Sequence, residues 1–283
     1  MSLEIRTAGN VGVEILGVDL SRELDDETFE AIRRAFVEHG VVFFRDQTLD
    51  EKQHIAFARR WGPININRFF AAHPAYPEIA LVVKEPAQTQ NIGGGWHTDH
   101  SYDRIPALGS ILVAREVPLS GGNTAFASMY AAYDALPAGL KREVEGLKAV
   151  HSARHIFGSK AVEAIRESEM RKDGRLGNSS AADMLEDVEH PLILVHPLSG
   201  KRAIYVNPAF TIGIAGWDKE AAGQLLVELY AHCINPDFIG EFVWQPGSIA
   251  FWDNRATWHF ARNDYHGHRR EMHRITIEGE ALA

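Results

Sequence analysis

Two residues near the middle of the chain have the types and the spacing of a metal site. His97 and Asp99 are separated by one residue in the run NIGGGWHTDHSY, residues 91–102. On a β-strand that leaves the glycine-rich turn, their side chains would point to the same face, about 6–7 Å apart along the backbone. A histidine nitrogen and a carboxylate oxygen suit Fe(II), Mn(II) or Zn(II). The alternative is a surface histidine beside a turn aspartate, because His-x-Asp alone is a weak motif.

His259 is the candidate for a third ligand. It lies in RATWHFA, residues 255–261, which has the composition of a strand. Three ligands on one side of an ion leave three coordination positions open, and oxygen chemistry needs open positions. A core histidine with satisfied hydrogen bonds is the alternative for His259 taken by itself.

The last predicted strand carries two arginines on one face. After RNDYHGHRR, which we interpret as a hairpin connection, EMHRITI reads as a strand on which Arg270, Met272 and Arg274 share a face. Two arginines on an interior face would need anions to pair with. Since they are about 13 Å apart along a strand, they would bind two anions or two ends of one. A solvated face is the alternative.

Composition narrows the classes of partner. The chain has 283 residues and a formal net charge of −9, without a long run of Lys or Arg, which argues against nucleic acid and anionic membrane. The single cysteine, Cys233, excludes an intrachain disulfide and a Cys-based zinc site, and a buried small hydrophobe is favoured over a nucleophile. Without a signal-peptide pattern or a stretch of about 18 apolar residues, we expect a cytoplasmic protein.

The hydrophobic pattern predicts many short strands and few helices. Helices are expected over 26–39, capped by Asp25 or Asp26 and ended by Gly40, from Asp50 to about 62, and near 127–147 and 217–234. Strands are expected at 11–20, 41–46, 80–85, 110–116, 192–197, 202–207, 247–253, 255–261 and 271–279. Strand and helix do not alternate strictly, so we predict a single domain, residues 1–283, that is mainly β: a sandwich or jelly roll with flanking helices.

Four segments, in this order along the chain, carry a family resemblance. They are WHTD (96–99), GGNT (121–124), WDNRATWH (252–259) and RREMHR (269–274). Together they resemble the taurine dioxygenase (TauD/TfdA) family of Fe(II)- and 2-oxoglutarate-dependent dioxygenases, and the likeness extends over nearly the whole chain. It implies a double-stranded β-helix, that is, a jelly-roll core.

The resemblance also implies roles for individual residues. His97, Asp99 and His259 match the ligands of Fe(II), and Thr124 and Arg270 match the residues that hold 2-oxoglutarate, which is consumed with O2 and released as succinate and CO2. A small anionic substrate (a sulfonate, sulfate ester or carboxylate) would be hydroxylated. The substrate-binding positions are His73, Tyr76, Tyr102, Phe210 and Arg274. By analogy with the family, we expect a homodimer or homotetramer.

One departure bears on the substrate. Where taurine dioxygenase has an asparagine near the amino group of taurine, this chain has Gly93-Gly94-Gly95. Glycine offers no side-chain hydrogen bond, so taurine catabolism is disfavoured and an anion with an apolar or aromatic body is expected. A zinc or manganese hydrolase or lyase on the same jelly roll is the alternative function, and a binding protein without catalysis is a third; a fixed dicarboxylate site at Arg270 and Thr124 argues against both.

Overall fold

The computed structural model describes residues 3–177 and 179–282. The strands are β1 Glu4–Thr7, β2 Val13–Leu16, β3 Val41–Phe44, β4 Ile64–Asn65, β5 Ala72–His73, β6 Tyr76–Lys84, β7 Gly109–Glu116, β8 Thr124–Ser128, β9 Lys148–His151, β10 Val188–Pro191, β11 Ile193–Val195, β12 Arg202–Ile204, β13 Thr211–Ile214, β14 Ile239–Phe242, β15 Ile249–Asp253, β16 Thr257–Ala261 and β17 Arg270–Ile277. The helices are α1 Asp26–His39, α2 Glu51–Arg59, α3 Met129–Asp134, α4 Ala138–Val144, α5 Arg154–Phe157, α6 Glu163–Arg166, α7 Glu169–Lys172, α8 Ser179–Asp183 and α9 Lys219–Cys233.

The two N-terminal helices begin where their capping residues predict, and α1 also ends as predicted, whereas α2 ends at Arg59 and not at about residue 62. The Asp25 side chain accepts a hydrogen bond from the backbone N–H of Thr28, and Gly40 ends α1 in the left-handed region at φ 73°. Asp50 and Gln53 form a capping box at the start of α2. Both helices pack their apolar faces on the large sheet, so the prediction of these two helices is confirmed.

The large sheet forms the frame of the molecule. In the described part of the chain it has nine strands, in the order β1-β2-β3-β15-β7-β17-β6-β5, with β4 paired to β17. Alternation sends residues such as Phe251 outward, where its ring stacks on Phe36 of α1 at 4.2 Å between centroids. The intervening residues, such as Trp252, point to the other face.

A second, three-stranded sheet in the order β14-β8-β16 covers that other face. Side chains from both sheets, among them Leu112, Phe126, Trp252 and Met272, form one buried cluster between them. Two sheets packed face to face around such a core make the jelly roll that the sequence predicts, with helices outside it. The prediction of a mainly β fold with flanking helices is confirmed.

The chain between β16 and β17 is not a hairpin connection, as the sequence analysis proposed. Strand β16 pairs with β8, whereas β17 pairs with β6 and β7 of the large sheet. Residues 262–269 therefore lead from one sheet to the other. This crossing places His259 and Arg270 on opposite walls of the same interior.

The outer face of the small sheet is covered by helices. Strands β8 and β16 contribute Ala127 and Trp258 to a buried cluster with α3, α4 and α9. The predicted helix at 127–147 is two helices, because the chain breaks at Leu136-Pro137. Cys233 is fully buried in this cluster and burial raises the pKa of its thiol well above the ordinary value, so it is a small hydrophobe. Within residues 3–177 and 179–282, no helix is long and apolar enough to cross a membrane.

Candidate active site

Three side chains that are distant in sequence converge at one end of the jelly roll. One ligand atom from each of His97, Asp99 and His259 lies within 4.8 Å of the others. The Nε2 atoms of His97 and His259 are each 3.8 Å from an oxygen of Asp99. Three donors on one side of a common centre are the arrangement of a two-histidine, one-carboxylate site.

The peptide segment before β7 holds His97 beside His259. The two residues form an isolated antiparallel bridge, with reciprocal backbone hydrogen bonds of 3.2 and 2.8 Å. The Nδ1–H of His97 donates to the carbonyl of Gly95 at 2.8 Å, which leaves the Nε2 lone pair directed at the centre. This hydrogen bond fixes both the tautomer and the orientation of the ring.

The prediction that His97 and Asp99 lie on one strand is wrong. Beyond the bridge at His97 the chain turns, and His100 has a left-handed backbone with φ 60°. The two side chains converge through this turn and not through strand alternation. Strand alternation does apply to His259, which points inward on β16 while its neighbour Trp258 points outward.

Asp99 is buried and held from two sides. Ser110 Oγ donates to its Oδ2 at 3.0 Å, and Arg274 Nη1 lies 3.2 Å from its Oδ1. Burial acts to raise the pKa of Asp99, but the adjacent positive charge of the Arg274 guanidinium opposes burial, and the pKa lies well below its usual range. The carboxylate is therefore ionised and ready to act as a metal ligand.

His259 is the neutral partner of this carboxylate. Burial and the adjacent His97 lower the pKa of His259 well below its usual value. A neutral imidazole keeps the lone pair that metal binding needs. Asp99 and His259 thus have the protonation states that binding of a divalent cation requires.

A cavity of about 230 Å³ opens beside the three ligands. Eight of the ten predicted site residues line it: His97, Asp99, His259, Thr124, Arg270, Arg274, Tyr102 and Phe210. Most of the rest of its wall is apolar. The structure thus brings together the two arginines, the triad and two aromatic rings around one enclosed space.

Arg270 enters the cavity without a counter-ion. It is 4% exposed, and its Nε and Nη2 atoms have no hydrogen-bond partner among the described residues. Burial lowers its pKa to about 10. A buried guanidinium without an anion is energetically unfavourable and indicates a ligand with a carboxylate.

Thr124 lies in the same part of the cavity on β8. Its Oγ1 accepts a hydrogen bond from the indole N–H of Trp244 at 2.9 Å, and Arg270 lies over that indole ring at 5.7 Å from the centroid. Because the hydroxyl already accepts from Trp244, its own hydrogen remains for donation to a ligand. Thr124 and Arg270 together offer donors of the kind that bind a carboxylate.

His73 and Tyr76 do not reach the cavity. Their rings pack against each other at 5.2 Å, and His73 also contacts His273 at 5.6 Å between centroids. His273 points to the face of β17 opposite to that of Arg274. The pairing register shifts between Ala72 and His73, and Tyr76 packs on the buried cluster of the helix-covered side of the sheet, so the structure does not bring these two residues to the cavity.

One wall of the cavity has no residue among those predicted from the sequence. The segment that carries α5, α6 and α7, residues 154–176, contributes Ile156, Phe157, Met170 and Leu176. Phe157 stacks on Phe69 at 4.2 Å between centroids, and Tyr102 and Phe210 pack edge to face at 4.7 Å. The four-residue helices of this segment lack a hydrophobic period, and its cluster of apolar residues was the only signal available.

Residues 4–276 match the family described as "Taurine catabolism dioxygenase TauD, TfdA family". The chain belongs to this family. It is therefore a 2-oxoglutarate-dependent non-haem iron dioxygenase that uses Fe(II), 2-oxoglutarate and O2, and the family assignment supports this activity and not the hydrolase or lyase alternative. In this dioxygenase the His97, Asp99 and His259 cluster has the donor set that an Fe(II) ion requires.

Three relatives of the dioxygenase illustrate the range of the family. The chain is 36% identical to an alpha-ketoglutarate-dependent sulfate ester dioxygenase of Pseudomonas putida, over 96% of this chain and 88% of the relative. It is 33% identical to an (S)-phenoxypropionate/alpha-ketoglutarate-dioxygenase of Sphingobium herbicidovorans, over 88% and 85%. A solved taurine dioxygenase from Burkholderia xenovorans superposes with a TM-score of 0.81 at 32% identity, covering 100% of this chain and 91% of that one.

Proposed function

We propose that His97, Asp99 and His259 bind the Fe(II) ion and that Arg270 and Thr124 bind the distal carboxylate of 2-oxoglutarate. When bound, the iron, 2-oxoglutarate and O2 supply the oxidising power that breaks a substrate C–H bond, with succinate and CO2 as coproducts. The convergence of the three ligand atoms, the ionised carboxylate of Asp99 and the neutral ring of His259 support the first assignment. The unpaired atoms of buried Arg270 support the second.

Arg274 supplies the site for the anionic group of the substrate. The residue is 6% exposed, its guanidinium lies over the ring of Phe70 at 4.7 Å from the centroid, and its Nε has no hydrogen-bond partner among the described residues. Because its Nη1 is 3.2 Å from Asp99, an anion bound to it would lie within a few atoms of the iron. The C–H bond that reacts would then be close to the anionic group.

The rest of the substrate would be apolar. Phe70, Phe157, Phe210 and Tyr102 line the cavity together with aliphatic side chains of the 154–176 segment. These walls exclude water and orient an alkyl or aryl body, while the absence of a side chain at Gly93 and Gly95 leaves room beside the ligands. A compact, doubly charged molecule such as taurine fits this lining poorly.

A sulfate ester with an alkyl or aryl body is the substrate class that these features favour. The sulfate would pair with Arg274, and hydroxylation of the carbon that bears the ester oxygen would release sulfate and an aldehyde or ketone. The likeness to the sulfate ester dioxygenase of P. putida supports this choice. Aryloxyalkanoates are the second candidate, since the aromatic walls and the likeness to the phenoxypropionate enzyme favour them.

A succinate-release screen tests the proposal. Purified enzyme with Fe(II), 2-oxoglutarate and O2 is assayed against alkyl sulfates, aryl sulfates, aryloxyalkanoates, alkanesulfonates and taurine, and sulfate release is measured in parallel. We expect stoichiometric succinate and sulfate from at least one alkyl or aryl sulfate and little turnover of taurine. Taurine as the best substrate would contradict the proposed substrate class.

Two further properties stay predictions: a homodimer or homotetramer, expected by analogy with the family, and a cytoplasmic location, expected from the sequence pattern. Light scattering coupled to size-exclusion chromatography would test the first, and cell fractionation the second. A monomer at micromolar concentration would contradict the predicted assembly.

A further inference from the structure

Lys84 is a buried cation with no assigned role in binding Fe(II), 2-oxoglutarate or the substrate. The side chain is 2% exposed, and its ammonium has no hydrogen-bond partner among the described residues. Its Nζ lies 4.4 Å above the centroid of the Tyr265 ring. An ammonium taken out of water without an anion is costly, so such an arrangement is unusual unless it serves a ligand.

The position of Lys84 links it to the 2-oxoglutarate end of the cavity. It is the last residue of β6 and lies directly opposite Arg270 of β17 in the antiparallel register. Side chains at opposed positions share a face, with Cβ atoms about 5 Å apart. Val82, on the same face of β6, lines the cavity, so Lys84 lies one position beyond the wall.

Tyr265 connects the two cations. Its ring lies under the Lys84 ammonium, and its Cδ1 atom and the Cδ of Arg270 both lie against Gly122. A Cβ at Gly122 would meet each of these atoms at 3.2 Å, so the absence of a side chain there lets both approach. The phenol ring therefore fills the space between Lys84 and the cavity.

The four buried Lys and Arg residues of the described chain fall into two groups. Arg255 pairs with Asp253 at 2.7 Å and Arg274 with Asp99 at 3.2 Å, whereas Lys84 and Arg270 have no carboxylate within ion-pair distance.

The negative charge that acts on Lys84 comes from Glu169, whose carboxylate makes its hydrogen bonds and its ion pair with other residues. Glu169 accepts the backbone N–H groups of Thr89 and Gln90 at 2.8 Å and lies 3.3 Å from Arg175. No carboxylate of the described residues therefore pairs directly with Lys84 or Arg270, and an anionic ligand would supply the missing partner.

We propose that Lys84 is a positioning residue for the distal carboxylate of 2-oxoglutarate, acting through Arg270. Two buried cations at opposed positions of neighbouring strands, neither with a hydrogen-bonded anion, raise the affinity for an anion more than Arg270 would alone. Lys84 thereby helps to select 2-oxo acids that carry a distal carboxylate. This inference rests on the proposed role of Arg270.

Lys84→Met and Lys84→Gln test it, with Lys52→Met on the exposed surface of α2 as the matched control. Dissociation constants of 2-oxoglutarate and of 2-oxopentanoate, which lacks the distal carboxylate, are measured by calorimetric titration of the Mn(II)-loaded enzyme. For both Lys84 variants we expect an approximately tenfold weaker affinity for 2-oxoglutarate, with the affinity for 2-oxopentanoate changed less than twofold. Lys52→Met should match the wild type with both ligands.

A purely structural lysine would give another pattern. If Lys84 only supports Tyr265, its variants would lower the melting temperature. They would also weaken the binding of both ligands equally or leave both affinities unchanged. Either result for the affinities overturns the proposal. Failure of the proposed function is distinguishable, because the wild-type enzyme would then show no preference for 2-oxoglutarate over 2-oxopentanoate.

Discussion

Replacing Arg270 with methionine should abolish tight binding of 2-oxoglutarate without unfolding the protein. Methionine keeps an unbranched apolar side chain in the buried position and removes the guanidinium. The native side chain is almost fully buried, with two nitrogen atoms that lack partners. Its removal therefore leaves no protein acceptor unpaired, and the effect should fall on the ligand.

The magnitude follows from the electrostatic cost that the ligand relieves. Burial lowers the pKa of Arg270 from 12.5 to about 10, which corresponds to about 3 kcal/mol of unfavourable free energy for the charged form. A carboxylate that pairs with the guanidinium recovers a free energy of this order. We therefore expect Arg270→Met to raise the dissociation constant of 2-oxoglutarate by about two orders of magnitude.

Calorimetric titration of 2-oxoglutarate into the Mn(II)-loaded protein measures this change without turnover. Arg269→Met is the matched control, because Arg269 is the preceding residue, is partly exposed and pairs with Glu85, Glu116 and Glu271 outside the cavity. The control should change the dissociation constant less than about twofold. A change below about threefold for Arg270→Met would refute the assignment of this residue to the distal carboxylate.

Three further predictions concern other buried polar side chains. Arg274→Ala should raise the substrate KM at least about 30-fold while changing 2-oxoglutarate affinity less than about threefold, and equal losses would show that the two arginines are assigned wrongly. Asp253→Ala leaves Arg255 and His196 without their shared carboxylate, so urea denaturation should show a loss of about 3–5 kcal/mol, whereas a loss under 1 kcal/mol would contradict this role. Burial lowers the pKa of His54 to about 3 from 6.5, so the unfolded chain binds its proton first and stability falls as the pH drops below about 6.5. Between pH 7.5 and pH 5, His54→Phe should lose about 2 kcal/mol less stability than the wild type in urea denaturation, and parallel losses would argue against a neutral buried ring.

Sequence patterns alone predicted the features that depend on strand alternation or on capping residues. Strand alternation alone placed Arg270 and Arg274 on one face of β17, and both are buried beside the cavity. Capping residues placed the ends of α1 at Asp25 and Gly40. These features depend on residues close in sequence, which is why sequence reasoning reached them.

Other parts of the site depend on contacts between distant segments. The orientation of His97 is set by its backbone bridge to His259 and by the turn after it, and no local pattern marks either. The pairing register shifts beside His73, and the structure does not bring that ring to the cavity. The 154–176 wall consists of short helices whose apolar residues face the cavity only because the whole segment packs over it.

The most direct test of the metal and 2-oxoglutarate sites is a crystal structure of the Mn(II)-loaded protein with 2-oxoglutarate. We predict one ion per chain within about 2.3 Å of His97 Nε2, a carboxylate oxygen of Asp99 and His259 Nε2, with the distal carboxylate of 2-oxoglutarate on Arg270. An ion bound by other residues, or a distal carboxylate bound away from Arg270, would contradict the proposed active site.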